Sequence, residues 1–504
     1  MTALSTGRRS HEMRRFITSL LLATSTTADV GALPNLASTW PSWSRAALPK
    51  AVTVNEPQSP KQLEDPASGW VSVRTAGAKG DGSDDTAPLK AAIAALPSAN
   101  GTLYFPPGSY LTNAPLMITK PHTRVLAYGA KLTQAGVNQR GIFVSDAPGV
   151  SIEGLWLYSS RGGRDWKPNA RTDAIGIYIN RSSNVRVIEA KLENWGCEGI
   201  TVYQSAETEI RNSSFIGIGT AGGLTTDSNY NVGIRFYIGG EAFPNQRVVA
   251  NEFRDLAQGL VFDTVWKNVT ISQNKFVHII GQHGLYAGAM QETTVTNNIV
   301  NGCGQTGLKF QTTEHASDDG RNITVSSNAI TNCGKAGILF LQASGSRRFV
   351  GVSIVRNTIS NTAYGIDAQD VDDFVISDNT VTKATTYGFL LKDVGNGRVT
   401  KNTIDSSMWT GIYATSRKGA AVVLSDNILI DPANNAAGNG PDKNSAIYLG
   451  GGTFSLTNNT VKALAPKYLW NIFVDPSATA SASGNNFPNS KKNSGAVTPA
   501  PSGP

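Results

Sequence analysis

One asparagine keeps returning to the same place in this chain. Asn251, Asn274, Asn298, Asn328, Asn357, Asn379, Asn402, Asn427 and Asn459 each follow an alternating apolar stretch, at intervals of 22 to 32 residues. A second marker keeps step with it: Gly199, Gly233, Gly259, Gly284, Gly307, Gly337, Gly365, Gly388 and Gly411 are each followed by Ile, Leu or Phe. Each copy alternates like a strand and is too short for a strand–helix unit, so it cannot bury its apolar face alone. Stacking the copies solves that problem, and a period of this size predicts a solenoid. No helical stripe lies between the copies, which disfavours leucine-rich and helical repeats. The expectation is an all-β, right-handed parallel β-helix of about 11–13 coils. The asparagines read as structural: at a tight turn they tolerate a left-handed backbone, and their amides can bond the next coil. Cys303 and Cys333 sit four residues before Gly307 and Gly337, which stacks them on adjacent coils about 4.8 Å apart, within disulfide reach. A ladder of free thiols is the expected state, with the disulfide left open.

An open β-helix exposes an apolar end that needs a cover. Residues 84–96 supply a capping helix with an Ala, Leu and Ile face, for which Asp84 or Asp85 can serve as N-cap; Gly101-Thr-Leu-Tyr-Phe-Pro-Pro-Gly-Ser-Tyr-Leu111 then makes a first coil. Gly77-Ala-Lys-Gly-Asp-Gly-Ser-Asp-Asp-Thr86 followed by Phe105-Pro-Pro-Gly-Ser-Tyr110 resembles the opening of the pectate-lyase/rhamnogalacturonase superfamily. That superfamily comprises right-handed parallel β-helix lyases, epimerases, galacturonase-type hydrolases and tailspikes. The resemblance implies the fold and an activity on polysaccharide without choosing the reaction, and it makes Asp81, Asp84 and Asp85 end-cap residues rather than a catalytic cluster.

In Gly-apolar-x-apolar-x the third and fifth positions point away from the core. Down successive coils the third position reads Tyr178, Thr201, Arg235, Val261, Tyr286, Lys309, Leu339, Asp367, Leu390 and Tyr413; the fifth includes Tyr203, Tyr237, Asp263 and Gln311. Cations, phenols, a carboxylate and an amide concentrate between the coils of Gly233 and Gly307. Insertions at 161–173, 220–231, 239–246 and 312–320 would wall the same region, where long loops on a rigid scaffold often carry function. Trp166, in the first insertion, would stack on a sugar ring or pack within its own loop. His283, in Gly281-Gln-His-Gly-Leu-Tyr286, precedes an outward strand and lies one coil before Lys309. The alternative for His283 is a turn histidine bonded to backbone.

Galacturonase-type hydrolases carry Gly-His-Gly-Leu followed one coil later by Gly-x-Arg-Ile-Lys-Thr. Here the second segment is Gly307-Leu-Lys-Phe-Gln-Thr312, so Lys309 and Gln311 stand in the places of the arginine and the lysine. Of the aspartates that those hydrolases place on the two preceding coils only Asp263 remains, and hydrolysis would need a partner such as Glu241 or Glu314. The residues suit another reaction better. Abstracting the C5 proton of a uronic acid requires cations and donors that neutralise its carboxylate, with an acid and a base in reach. The expected catalytic residues are His283 and Tyr286 as base or acid and Lys309 as carboxylate neutraliser, with Arg235, Tyr237, Asp263, Gln311 and Trp166 binding substrate. Lyase or C5-epimerase chemistry on a uronic-acid-containing polysaccharide is the leading reading. A glycoside hydrolase, or a non-catalytic carbohydrate-binding or surface β-helix, are the alternatives.

No cofactor or metal is expected, because the outward columns never present two carboxylates on adjacent coils; calcium held by a loop such as Asp318-Asp319 is left open. The formal charge of +7 lies largely in Arg8, Arg9, Arg14, Arg15, Arg45 and Lys50 and in Lys491 and Lys492, so the folded body offers no basic patch for nucleic acid. Arg14-Arg15 with Phe16, Ile17 and Leu20–Leu22 reads as an export signal over 1–29. A Pro- and Ser-containing linker follows over 30–68, then a single β-helix domain over 69–475 and a disordered tail over 476–504. No stretch approaches the roughly 18 apolar residues of a membrane span. An exported protein, periplasmic or extracellular, is expected. It would be a monomer or, through outward Leu339, Leu341 and Leu390, a homotrimer.

Overall fold

The computed structural model describes residues 69–162, 172–219, 231–237, 243–312, 320–342, 347–434, 440–462 and 469–488, with the backbone of 492–494 and 497–499. The chain winds as a right-handed parallel β-helix, and every strand pairing within it is parallel. One turn shows the plan: Val269–Ser272, then Lys275–Ile279, then Leu285–Ala287. Each pairs in register with its counterpart in the next turn, Met290–Thr296, Ile299–Cys303 and Leu308–Gln311. Three strips of sheet therefore run the length of the stack. The second and third merge where Ala329–Leu341 and Thr358–Gln369 bend continuously from one to the other.

The asparagines make one unbroken chain between the first and second strips. From Asn251 to Asn459 each side-chain Nδ2–H donates to the Oδ1 of the next asparagine at 2.9–3.0 Å, and the series gains a tenth member in Asn485. The same Oδ1 accepts the preceding asparagine's backbone N–H at 2.8–3.1 Å. The second Nδ2 proton goes to a carbonyl of the first strip, as from Asn328 to Val295. The left-handed conformation falls one residue earlier than expected. Gln273, Asn297, Ser327, Arg356 and Asp378, each just before a ladder asparagine, have φ of 55–58°. That leaves the asparagine backbone free to bond along the stack. The glycine column has a different cause: a Cβ on Gly259 would lie 2.4 Å from the carbonyl oxygen of Gly284, and one on Gly365 2.5 Å from that of Gly388.

Inside, like stacks on like. Phe215, Phe253 and Phe276 stack at 4.9 and 4.7 Å, Phe236 and Phe262 at 4.2 Å, and Phe310 and Phe340 at 4.5 Å. The helix Thr86–Ala95 buries Leu89 and Ala92 against the first coils. Asp85 holds the N-cap position without a side-chain cap bond. Its carboxylate accepts the backbone N–H groups of Lys79 and Gly80 and so pins the glycine-rich turn, while Asp84 accepts from Thr86.

Two boundaries differ from expectation. Among the described residues the first strip passes through 19 strands, two of which share a coil with a neighbour (Trp266–Lys267 with Val269–Ser272, Val371–Asp372 with Phe374–Ser377); the coils still outnumber the expected 11–13, because the turns before Asn251 lack the asparagine marker. The ladder also continues past 475, where Thr479–Ser483 pairs with Thr453–Thr457. Its Ser and Ala side chains gave no apolar alternation to read. The leader and linker expected over 1–68 lie outside the described residues.

Asn328→Ala removes the acceptor of two buried N–H groups and the donor to Val295. It should cost about 3 kcal/mol of unfolding free energy, whereas Asn301→Ala, on the exposed side of a strand, should stay within about 0.5 kcal/mol. Chemical denaturation of the two variants measures the difference.

Candidate functional site

The third strip registers Thr201, Arg235, Val261, Tyr286, Lys309, Leu339 and Asp367 on successive strands. Pointing away from the core does not expose them equally. Thr201, Arg235 and Val261 are buried, and the column becomes half-buried only at Tyr286, Lys309 and Leu339.

Arg235 is held by two carboxylates. Its Nε lies 2.8 Å from Glu198 Oε1, and its Nη1 lies 2.5 Å from Asp263 Oδ2. Glu198 is fully buried and also accepts the Thr201 hydroxyl. Arg235 is therefore corrected from a sugar-gripping residue to a buried ionic support: its cation satisfies Glu198 and orients Asp263, whose side chain remains partly accessible. Desolvation opposes the charge of Arg235, but Glu198 and Asp263 overcome it and raise its pKa.

His283 belongs to a column that spacing alone did not reveal, the residue just before each marker glycine. Glu198, Val232, Gln258, His283, Thr306 and Ala336 occupy it, and all are buried. Nδ1 of His283 accepts the backbone N–H of Thr306 at 3.3 Å, which leaves the ring proton on Nε2. The ring packs near-parallel to Tyr286, 6.0 Å between centroids. Burial, helped by the Lys309 and Lys335 cations, lowers the His283 pKa to about 3, so the imidazole is neutral at any ordinary pH. The backbone-bonded turn histidine considered from sequence describes this environment.

Tyr286 and Lys309 are direct neighbours, with the Lys309 ammonium 5.1 Å from the Tyr286 ring centroid. Burial, reinforced by Lys335, lowers the Lys309 pKa to about 8. Burial and the Asp263 charge raise that of Tyr286, against a smaller pull from Arg235. Lys335 was missed. It stands where the strand Ala329–Leu341 bends from the second strip into the third, its Nζ 3.3 Å from Gln305 Oε1, and the signal was present in its place two residues after Cys333. That bend is stapled: Cys303 and Cys333 form a disulfide across adjacent coils, Cα atoms 4.5 Å apart, rather than the expected free thiols. In-register stacking brings the two sulfurs together.

Tyr237 stacks diagonally on Tyr203 at 6.0 Å, and Gln311 lies beside Leu341 on the next strand. Leu339, Leu341 and Leu390 are half-buried. Trp166, Glu241, Glu314 and the Asp318-Asp319 loop lie outside the described residues. Among the described residues no three His, Cys, Asp or Glu side chains converge as a metal site, and no helix is long and apolar enough to cross a membrane.

Two family matches coincide with this architecture. Residues 283–461 match the right-handed β-helix region, and residues 70–338 match the family described as rhamnogalacturonase A/epimerase, pectate lyase-like. The second match spans more than half of the chain, and the protein belongs to that family. Similar solved folds include an exopolygalacturonase of Thermotoga maritima, 17% identical with a TM-score of 0.48, covering 68% of this chain and 93% of that one. The A-module of an Azotobacter vinelandii mannuronan C-5 epimerase is 14% identical with a TM-score of 0.43, covering 82% and 98%. A surface adhesin of Streptococcus pneumoniae is 14% identical with a TM-score of 0.36, covering 82% and 90%. Among curated proteins none matches the sequence.

Two outcomes follow from the buried charges. Arg235→Gln strands Glu198 without its cation and should lower the unfolding free energy by about 3 kcal/mol or more, while Lys309→Gln should change it by about 1 kcal/mol or less. For His283 the folded pKa lies below its ordinary 6.5, so the unfolded chain binds the proton first. Its contribution is complete above pH 6.5 and is lost as pH falls toward 3. Unfolding midpoints measured between pH 7 and 4 should fall less steeply in His283→Asn than in the parent.

Proposed function

We propose that this protein is an exported polysaccharide-modifying enzyme that acts on a uronic-acid-containing polymer by proton transfer at C5, as a lyase or a C5-epimerase. The observation that carries the reading is the half-buried Lys309 ammonium lying over Tyr286, with the Lys335 cation close enough to depress it. Two cations beside a protonated phenol make a seat for a carboxylate. Membership of a family described by rhamnogalacturonase, epimerase and pectate lyase supports polysaccharide as the substrate class. The Cys303–Cys333 disulfide suits an oxidising compartment outside the cytosol.

In this reading Lys309 neutralises the uronate carboxylate, so that charge developing at C5 delocalises into it. Asp263, aimed by Arg235, takes the C5 proton. Tyr286, held protonated by burial, supplies a proton. In elimination the C5–H electron pair becomes the C4–C5 double bond, the C4–O bond breaks, and the departing oxygen takes the Tyr286 proton. In epimerisation Tyr286 returns a proton to the opposite face of C5. His283, neutral and bonded to backbone, acts as a positioning residue that backs the Tyr286 ring. The sequence expectation left base and acid open between His283 and Tyr286; this reading assigns the base to Asp263, because the Nδ1 lone pair of His283 is already occupied.

Incubation with acidic and neutral polysaccharides tests the reading. Unsaturated-uronate absorbance or solvent tritium incorporation is expected with an acidic polymer; new reducing ends without either signal would mean hydrolysis and would overturn it. Lys309→Gln and Tyr286→Phe should each lower kcat/KM by about 100-fold. In the parent kcat/KM should fall as pH rises through about 8, where free Lys309 loses its proton, and Lys309→Arg should move that limb to higher pH.

A further inference from the structure

Four strands beyond Lys309 the same outward column changes character. It passes through Leu339, Asp367 and Leu390 to Tyr413 and Tyr448. Tyr413 and Tyr448 stack at 4.7 Å with planes 4° apart, and Tyr387 meets Tyr413 at 5.4 Å and Trp409 at 5.3 Å, both edge-on. Tyr413, Tyr448 and Trp409 are half-buried. Carboxylates stand among these rings. Burial, followed by the Asp442 charge, raises the pKa of Tyr387 and Tyr413. Burial and then the Asp475 charge push Tyr448 up to about 12, and Asp475 accepts its hydroxyl at 3.3 Å. The phenols therefore remain donors. Among the described residues the Lys443 ammonium lies 5.0 Å from the Trp409 ring centroid.

We propose that this cluster is a second carbohydrate-binding site, built for an uncharged, hydroxyl-rich glycan. Sugar hydroxyls need both donors and acceptors in close alternation, and protonated phenols beside carboxylates supply both. The apolar ring edges and the indole match the C–H surfaces of a sugar. Charge separates the two sites. Asp442 and Asp475 would repel a polyuronate, whereas Lys309 and Lys335 would attract one. Four strand spacings put about 19 Å between Lys309 and Tyr413, beyond the ~8 Å over which exposed charges act at physiological ionic strength. The two patches therefore select ligands independently, and this site stands whether or not C5 chemistry occurs at the first.

Affinity electrophoresis of the full chain through gels containing a neutral polysaccharide (a glucan or a galactomannan) or a polyuronate tests the proposal. Retardation by at least one neutral polymer is expected. Asp442→Asn and Trp409→Ala should each weaken it by about tenfold, the loss expected from a charge-assisted hydrogen bond or an aromatic contact, and Lys309→Gln should leave it unchanged. Asp442→Asn keeps every ring and decides the matter if Trp409→Ala does not fold. No retardation in either neutral gel overturns the proposal. So does neutral binding that both Asp442→Asn and Trp409→Ala leave intact, and so does polyuronate retardation that depends on Trp409. Failure of the uronate reading would appear separately, as loss of turnover signals with neutral retardation retained.

Discussion

From Asn251 to Asn485 the stack rests on one repeated hydrogen bond, the asparagine amide that joins each coil to the next. An amide has two donors and an acceptor with two lone pairs, and here all four are used, buried from water. Any slip between coils would leave several of these groups unpaired at once, so register is set cooperatively along the stack. The glycine column enforces the same register by sterics, since each carbonyl occupies the place a Cβ would take. With register fixed, a side chain at one position of one coil has a defined neighbour on the next, and an outward column becomes a surface.

That surface is not uniform. Its middle is a buried ion cluster, Glu198, Arg235 and Asp263, which turns an arginine into scaffolding and leaves one carboxylate edge accessible. The next strands carry Tyr286 and Lys309, and farther along come the phenols around Asp442. One backbone plan thus supports cationic and acidic patches side by side, because successive coils vary at the third position without disturbing the stacked core.

Burial acts on two neighbours in the same direction. Both His283 and Lys309 lose proton affinity because a charged form is poorly solvated there and Lys335 adds repulsion. The consequences differ: His283 becomes a neutral structural ring, whereas Lys309 is poised near the working range. The Cys303–Cys333 disulfide links the two coils that carry Thr306 and Lys335.

The repeats alone determined the architecture, because periodic stacking is the only way for such short alternating segments to bury their apolar faces. They also determined that Tyr286 and Lys309 are neighbours, since equal offsets from a marker glycine become lateral contacts. Spacing could not tell which outward residues stay accessible. Arg235 and Tyr286 hold equivalent positions in the pattern, yet one is enclosed by carboxylates and the other is partly open. The position before the glycine, the Lys335 turn and the strand at 479–483 carry no apolar periodicity, so nothing in the one-dimensional pattern marks them. Burial is a property of all the surrounding coils at once, and only the three-dimensional stack decided which charges became enclosed and which stayed partly accessible.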